Sequence, residues 1–217
     1  MDGEMVPWSD ARVHVLTHSL HYGMGVFEGV RAYKTPNKGT CIFRLRDHTD
    51  RLFRSAHIMG MNMPFDKATL NQAQKDVVRL NGLEEGYLRP LAFLGSEGMG
   101  LRADNLRTHV VVAAWEWPSY MDPEANERGI KVRTSSYTRH HVNISMCKAK
   151  ATGNYINSLL APREAPESGA ENQREKPHAP VSLKCAVRVE PVIAQRNRKP
   201  HGEKHHQEER NLEPVET

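Results

Sequence analysis

The stretch CKAKATGNYINS, Cys147 to Ser158, sets two lysines two residues apart, just before a glycine and a tyrosine. A lysine amine can act as a covalent nucleophile or move a proton, provided it is neutral when it reacts. An unperturbed lysine, with a pKa of about 10.4, is almost wholly protonated at neutral pH. Desolvation or a neighbouring positive charge favours the neutral amine. Lys148 and Lys150 are each followed by alanine, on a run leading to a glycine turn. Such a run can hold a lysine in a pocket, although most lysines are solvated surface groups. The spacing does not separate the two, because on a strand both would point the same way.

Other chemistries are less well supplied. His14, His18 and His21 are close in sequence, but no cysteine or carboxylate completes a zinc set. His140 and His141 are adjacent and would face opposite ways on a strand, and His205 and His206 lie in a polar tail. No metal is expected. Cys41, Cys147 and Cys185 are far apart and odd in number, which favours a reducing compartment over a disulfide framework. The net charge of +4 is spread rather than clustered, and no basic stripe is interleaved with aromatics, which argues against nucleic acid as a partner. No apolar run reaches membrane-spanning length, and the N-terminus MDGEMVPWSD is polar and acidic. A cytoplasmic chain without membrane contact is expected.

The elements that must position a site read as follows. ARVHVL alternates Val13 and Val15 with Arg12 and His14, a short strand. GVFEGVRAYK (Gly25–Lys34) is strand-like, TPNKGT is a hairpin turn, and TCIFRL is the return strand. Asp47 is the expected N-cap of HTDRLFRSAHIM, with Leu52, Phe53, Ala56 and Met59 on one face and Gly60 as its end. A second helix runs from its Asp66 cap to Asn81-Gly82, with Leu70, Ala73 and Val77 as the apolar stripe. GYLRPLAFLG, HVVVAAWEW and GIKVRTSSYT follow as strand-like runs, and NYINSLLA as a helix that Pro162 and Pro166 interrupt. This mixture without strict alternation predicts an α+β fold with mostly antiparallel pairing.

The chain then changes character. All its aromatics lie at or before Tyr155, and its last methionine is Met146. From Arg163 onward there are ten basic and ten acidic residues, and VSLKCAVRV is the sole strand-like run. The mean hydropathy of −0.65 is polar for a globular enzyme. Three parts are therefore expected: a small α+β domain over 1–122, the start of a larger domain over 123–162, and a disordered or aberrant tail over 163–217.

DGEMVPWSDARVHVLTHSLHYGMGVFEGVRAY, RLRDHTDRLFRSA, YLRPLAFLGSEGMG, WEWPSYM and SSYTRHHVNISMCKAKATGNYINSLLA share their order and spacing with one family. Over residues 1 to about 161 the chain resembles the branched-chain aminotransferases, enzymes of the class IV aminotransferase fold that use pyridoxal 5′-phosphate. The resemblance implies a small domain of antiparallel strands and two helices, followed by the beginning of a large cofactor domain. It makes Lys150 the lysine that holds the cofactor as a Schiff base and moves the α-proton, with Lys148 a neighbour. It makes Tyr155 a partner of the cofactor's phenolic oxygen and Arg51 a binder of its phosphate. Tyr22, Phe27, Gly29, Tyr87 and Arg89 would line the substrate pocket, with Met99, Leu101, Trp117 and Tyr120 near it. An apolar wall suits leucine, isoleucine and valine, and an arginine suits the carboxylate of glutamate.

The implied reaction is amino transfer from branched-chain amino acids to 2-oxoglutarate, in branched-chain amino acid metabolism. The family resemblance also implies a homo-oligomer where the whole large domain is present. D-amino acid transaminases and aminodeoxychorismate lyases share the fold, and YLRP and HVLTHSLHYG favour the branched-chain enzymes over them. ESGAEN (Glu167–Asn172) is set aside as too close to Lys150 to be the family's glutamate-bearing segment. The break near Pro162 reads as a shifted reading frame or a misassembled gene. A chain so truncated is expected to be inactive or a non-catalytic fragment.

Overall fold

The computed structural model describes residues 1–102, 104–117, 127, 129, 132, 134–138, 140–164 and 212–215. In it Val26, Glu28, Val30 and Ala32 alternate with Phe27, Gly29 and Arg31, and all four of the first set are buried. This is the extended segment expected over Gly25–Lys34, divided into β1 (Gly25–Phe27) and β2 (Val30–Thr35). The division originates across the sheet, in β4 (Gly86–Leu94). The register is continuous, with Phe27 opposite Leu91 and Val30 opposite Leu88, so Glu28 faces Pro90. The Glu28 N–H donates to the Pro90 carbonyl at 2.9 Å, but proline has no N–H to return the bond. The ladder lapses there without losing register.

β2 turns through Pro36–Lys38 into β3 (Gly39–Phe43), the expected hairpin. β5 (Thr108–Trp115) pairs with the other edge of β4 along its whole length. A last strand, β6 (Leu212–Pro214), adds to the free edge of β3. The sheet thus runs β5, β4, the β1–β2 segment, β3, β6, with every pairing antiparallel. Helices α2 (Leu45–Ile58) and α3 (Lys67–Leu80) give their apolar stripes to the same core as the strands' inward residues. Leu52, Ala56, Leu70, Ala73 and Val77 are buried, as their spacing requires, and Phe53 and Met59 pack at the margin. Asp66 caps α3 by accepting the Thr69 N–H at 2.7 Å.

Several local expectations need correction. ARVHVL forms no strand. Val13 and Val15 face solvent, so no ladder holds the run extended, and the chain instead turns into a short helix, α1 (His18–Tyr22), not expected from the sequence. Helix α2 begins at Leu45, ahead of the expected Asp47 cap. Arg44 precedes it in the left-handed region at φ 50°, and Asp47 sits in the first turn, where its charge suits the helix dipole and accepts from Arg44 Nε at 2.8 Å. In GIKVRTSSYT the described positions 132 and 134–138 are not in a strand.

The tail also differs from the expectation at four residues. Leu212–Pro214 pair with Phe43–Cys41, Val215 is buried, and its N–H donates to the Thr40 carbonyl at 2.9 Å. Glu213 is clamped by Arg46 Nε at 2.5 Å and Lys75 Nζ at 2.9 Å. The VSLKCAVRV run and the boundary near residue 122 lie outside the described residues. Among the described residues, no helix is long and apolar enough to cross a membrane.

Candidate active site

The segment around Lys150 reaches the sheet edge at β1. Ala151 bridges to Val26, and the Phe27 N–H donates to the Lys150 carbonyl at 3.1 Å. From the other side, the Lys150 N–H donates to Ser55 Oγ of α2 at 3.0 Å. Thr152 Oγ1 donates to the Gly23 carbonyl at 2.8 Å, and the Gly153 N–H donates to the same oxygen at 3.2 Å. Gly23, at φ +69°, ends α1 there, and a Cβ on it would crowd the Gly153 backbone. The backbone of Lys150 is thereby fixed between a strand and a helix.

Its side chain lies among aromatic and charged groups. Lys150 Nζ donates to Tyr155 Oη at 2.8 Å and sits 4.8 Å from the centroid of the Phe27 ring. Phe27 and Tyr155 are tilted against each other at 5.0 Å. The Arg89 guanidinium lies 4.6 Å from the centroid of the same ring, and its Nη2 donates to Tyr87 Oη at 3.0 Å. Among the described residues, Arg89 Nε is buried without a hydrogen-bond partner. Lys148, in contrast, is exposed on a turn. The strand that would have aligned it with Lys150 is not formed, so the fold separates two lysines that the spacing left equivalent.

Arg51 stands on α2, near enough to Tyr155 to interact with it electrostatically. Its Nε and Nη2 donate to Glu28 Oε1 and Oε2 at 2.5 and 2.6 Å, and His48 Nδ1 lies 2.9 Å from Glu28 Oε2. Burial alone would raise the Glu28 pKa, but the bonds and charges of Arg51 and His48 outweigh it and hold the carboxyl below its ordinary range. The Glu28 hydrogen bond in turn raises the Arg51 pKa, and Tyr155 is near enough to add to this.

The predicted residues therefore fall into a main group and outliers. Lys150, Tyr155, Phe27, Arg89, Tyr87 and Gly29 are gathered together, with Arg51 alongside. Gly29 has a steric reason to be glycine, since a Cβ there would overlap the Tyr87 hydroxyl and stand 2.8 Å from its Cζ. Trp117 joins through Tyr87, ring to ring at 5.0 Å. Tyr22 packs on His18 at 4.5 Å, with no ring contact to the Lys150 group among the described residues. Met99 and Leu101 are exposed, and Tyr120 lies outside the described residues. The clustered histidines go to separate backbone partners: His14 Nδ1 accepts from the Leu16 N–H, while His18 Nε2 meets the Gly100 carbonyl and His21 Nε2 that of Val15.

Sequence reasoning missed Glu28, His48 and Ser55. A signal existed for Glu28, because it shares the alternation of Val26, Val30 and Ala32. A carboxylate in register with a buried face needs a partner, and His48 and Arg51 stand three apart on the next helix.

Comparisons with known proteins bear on the family and the fold. The family model described as amino-transferase class IV matches residues 25–173, beyond where the sequence reading stopped and including ESGAEN. A branched-chain-amino-acid aminotransferase of Pseudomonas aeruginosa is 64% identical over 170 residues, which is 78% of this chain and 55% of the relative. The Escherichia coli K12 enzyme of the same name is 44% identical over 77% of this chain and 54% of its own length. The chain thus spans about half the length of these curated relatives. The crystal structure of the E. coli branched-chain amino acid aminotransferase matches with a TM-score of 0.74 and 44% identity, over 78% of this chain and 56% of that one. The branched-chain amino acid aminotransferase from Thermobaculum terrenum in its PLP-form matches at 0.68 and 29% identity, over 78% of this chain and 55% of that one. With a family match over more than half its residues and an α+β fold shared with solved members, the chain belongs to the class IV aminotransferases.

Proposed function

We propose that the Lys150 group binds pyridoxal 5′-phosphate and serves amino transfer from leucine, isoleucine or valine to 2-oxoglutarate. The observation that carries this reading is the 2.8 Å bond from Lys150 Nζ to Tyr155 Oη, with the Arg89 guanidinium against the Phe27 ring that Nζ also meets and Arg51 interacting with Tyr155. The residues fit the cofactor in kind: an amine for its aldehyde carbon, a hydroxyl for its ring oxygen, and a guanidinium for its phosphate. The unpartnered, buried Arg89 Nε also suits an anionic ligand. When bound, the cofactor supplies a sink for the electron pair left on the substrate α-carbon.

The chain's own residues supply position and proton transfer. Tyr155 holds Lys150 Nζ through its hydroxyl, and Nζ would take the proton from the substrate α-carbon and deliver it to the carbon that was the cofactor's aldehyde, not back to the first. Phe27 and Tyr87 offer an apolar wall for a branched side chain, and Arg89 offers the second carboxylate of glutamate a charged partner.

Pyridoxal 5′-phosphate added to the protein is expected to remain with it through gel filtration as a visible absorbance band that borohydride bleaches. Leucine is expected to alter that band and D-alanine to leave it unchanged. Passage of all the chromophore into the small-molecule fraction contradicts the reading. A response to D-alanine alone favours the D-amino acid alternative.

A further inference from the structure

Glu28 is fully buried, at 0% exposure, where the ladder lapses between β1 and β2. Its side chain shares the inward face with Val26 and Val30, away from the Phe27–Gly29 face. A buried carboxylate without partners would be costly, but both oxygens of this one are taken by α2. Arg51 donates Nε and Nη2 as a fork, at 2.5 and 2.6 Å, and His48 Nδ1 completes the group at 2.9 Å.

We propose that Glu28 is a positioning residue for the cofactor phosphate, acting through Arg51; this rests on the cofactor reading above. The fork occupies one edge of a rigid, planar guanidinium and leaves Nη1 and the outer edge of a side chain that is 45% exposed. With that edge fixed, the remaining N–H groups have one direction in which to meet an anion. His48, Arg51 and Ser55 fall on one face of α2, and Ser55 Oγ accepts the Lys150 N–H at 3.0 Å. One helix face therefore sets both the guanidinium and the backbone of the reactive lysine. Glu28 locks that face to the strand that also carries Phe27.

Charge and geometry predict opposite signs here. Glu28 neutralises part of the Arg51 charge, so if charge alone governed phosphate binding, Glu28→Gln would tighten it. If orientation governs, the same change frees a half-exposed side chain to turn toward water, and phosphate binding weakens.

The test compares pyridoxal 5′-phosphate with pyridoxal, which lacks the phosphate, on the full chain. Affinities are read by quenching of protein fluorescence, and borohydride-fixed adducts are read by mass. The wild type is expected to prefer the phosphorylated compound. Glu28→Gln is expected to reduce that preference by about ten-fold, the order expected from loss of a charge-assisted hydrogen bond, while pyridoxal affinity is unchanged. In an Arg51→Gln background, Glu28→Gln should have no further effect. His48→Asn, which keeps the ion pair, should give a smaller loss of the same sign and serves as the decisive variant if Glu28→Gln does not fold. A tightened or unchanged preference overturns the proposal, as does a parallel loss for both compounds, which marks a merely structural role. Wild-type adducts of both compounds without phosphate preference overturn it and leave the cofactor reading standing. No wild-type adduct of either removes both.

Discussion

At the residue scale the fold makes distinctions that composition could not. Gly29 is an example. Its missing side chain makes room for the Tyr87 hydroxyl, which receives the Arg89 bond. Gly29→Ala is expected to displace Tyr87 and cost about 1–3 kcal/mol, the usual range for overpacking. Urea unfolding would show it as a lowered midpoint, and Tyr87→Phe in the same chain should recover part of the loss. An unchanged midpoint would mean that the Tyr87 ring has room the structure does not show. The resemblance gave the position an expected place in the pocket, but its steric reason was not legible, because the clash involves a side chain 58 positions away in sequence. Lys148 and Lys150 were inseparable by spacing for a related reason: the assumed strand is a turn, so exposure divides them.

Periodicity identified most of the elements, because each buries a stripe. α3 is the plainest case, with its cap, stripe and end all in the expected places. The run over Gly25–Lys34 was legible as one strand-like segment, but its lapse depends on Pro90 across the sheet, which local pattern cannot reveal. β6 was not foreseen for the same reason. Leu212–Pro214 has little strand character alone and gains it from the free edge of β3 and from two cations waiting for Glu213.

Burial opposes ionisation of Glu213, but Lys75 and Arg46 overcome this and keep its pKa below the ordinary carboxylate range. A carboxyl with a lowered folded-state pKa contributes stability above its unfolded-state value and loses it as the pH falls through the folded one. The wild type should therefore exceed Glu213→Gln in urea midpoint at neutral pH, and the gap should close in acid below the usual glutamate range. A gap that is constant with pH would show that the ion pairs do not hold β6.

At the scale of the whole molecule, apolar side chains stand in solvent outside the packed sheet-and-helix core among the described residues. Ile144, Ile156 and Leu159 are 77%, 65% and 69% exposed. The two segments that carry them are joined through Asn154 Nδ2, which donates to the Met146 carbonyl at 3.3 Å. Apolar side chains so placed favour association. The protein is expected to bind a hydrophobic dye and to self-associate with rising concentration. Replacing Ile144, Ile156 and Leu159 together by serine should reduce both. Sedimentation velocity would check this, and an unchanged monomer over the whole concentration range would contradict it.

Lys150 is fixed by Ser55, Phe27 and Tyr155, and on the function proposed above it is the lysine that takes the cofactor. The most direct measurement is peptide mapping after borohydride reduction of the protein with pyridoxal 5′-phosphate. The pyridoxyl group should be found on Lys150. Lys150→Ala should abolish the labelling, and Lys148→Ala should leave it intact. Label on Lys148, or label scattered over surface lysines at equal yield, would contradict the account.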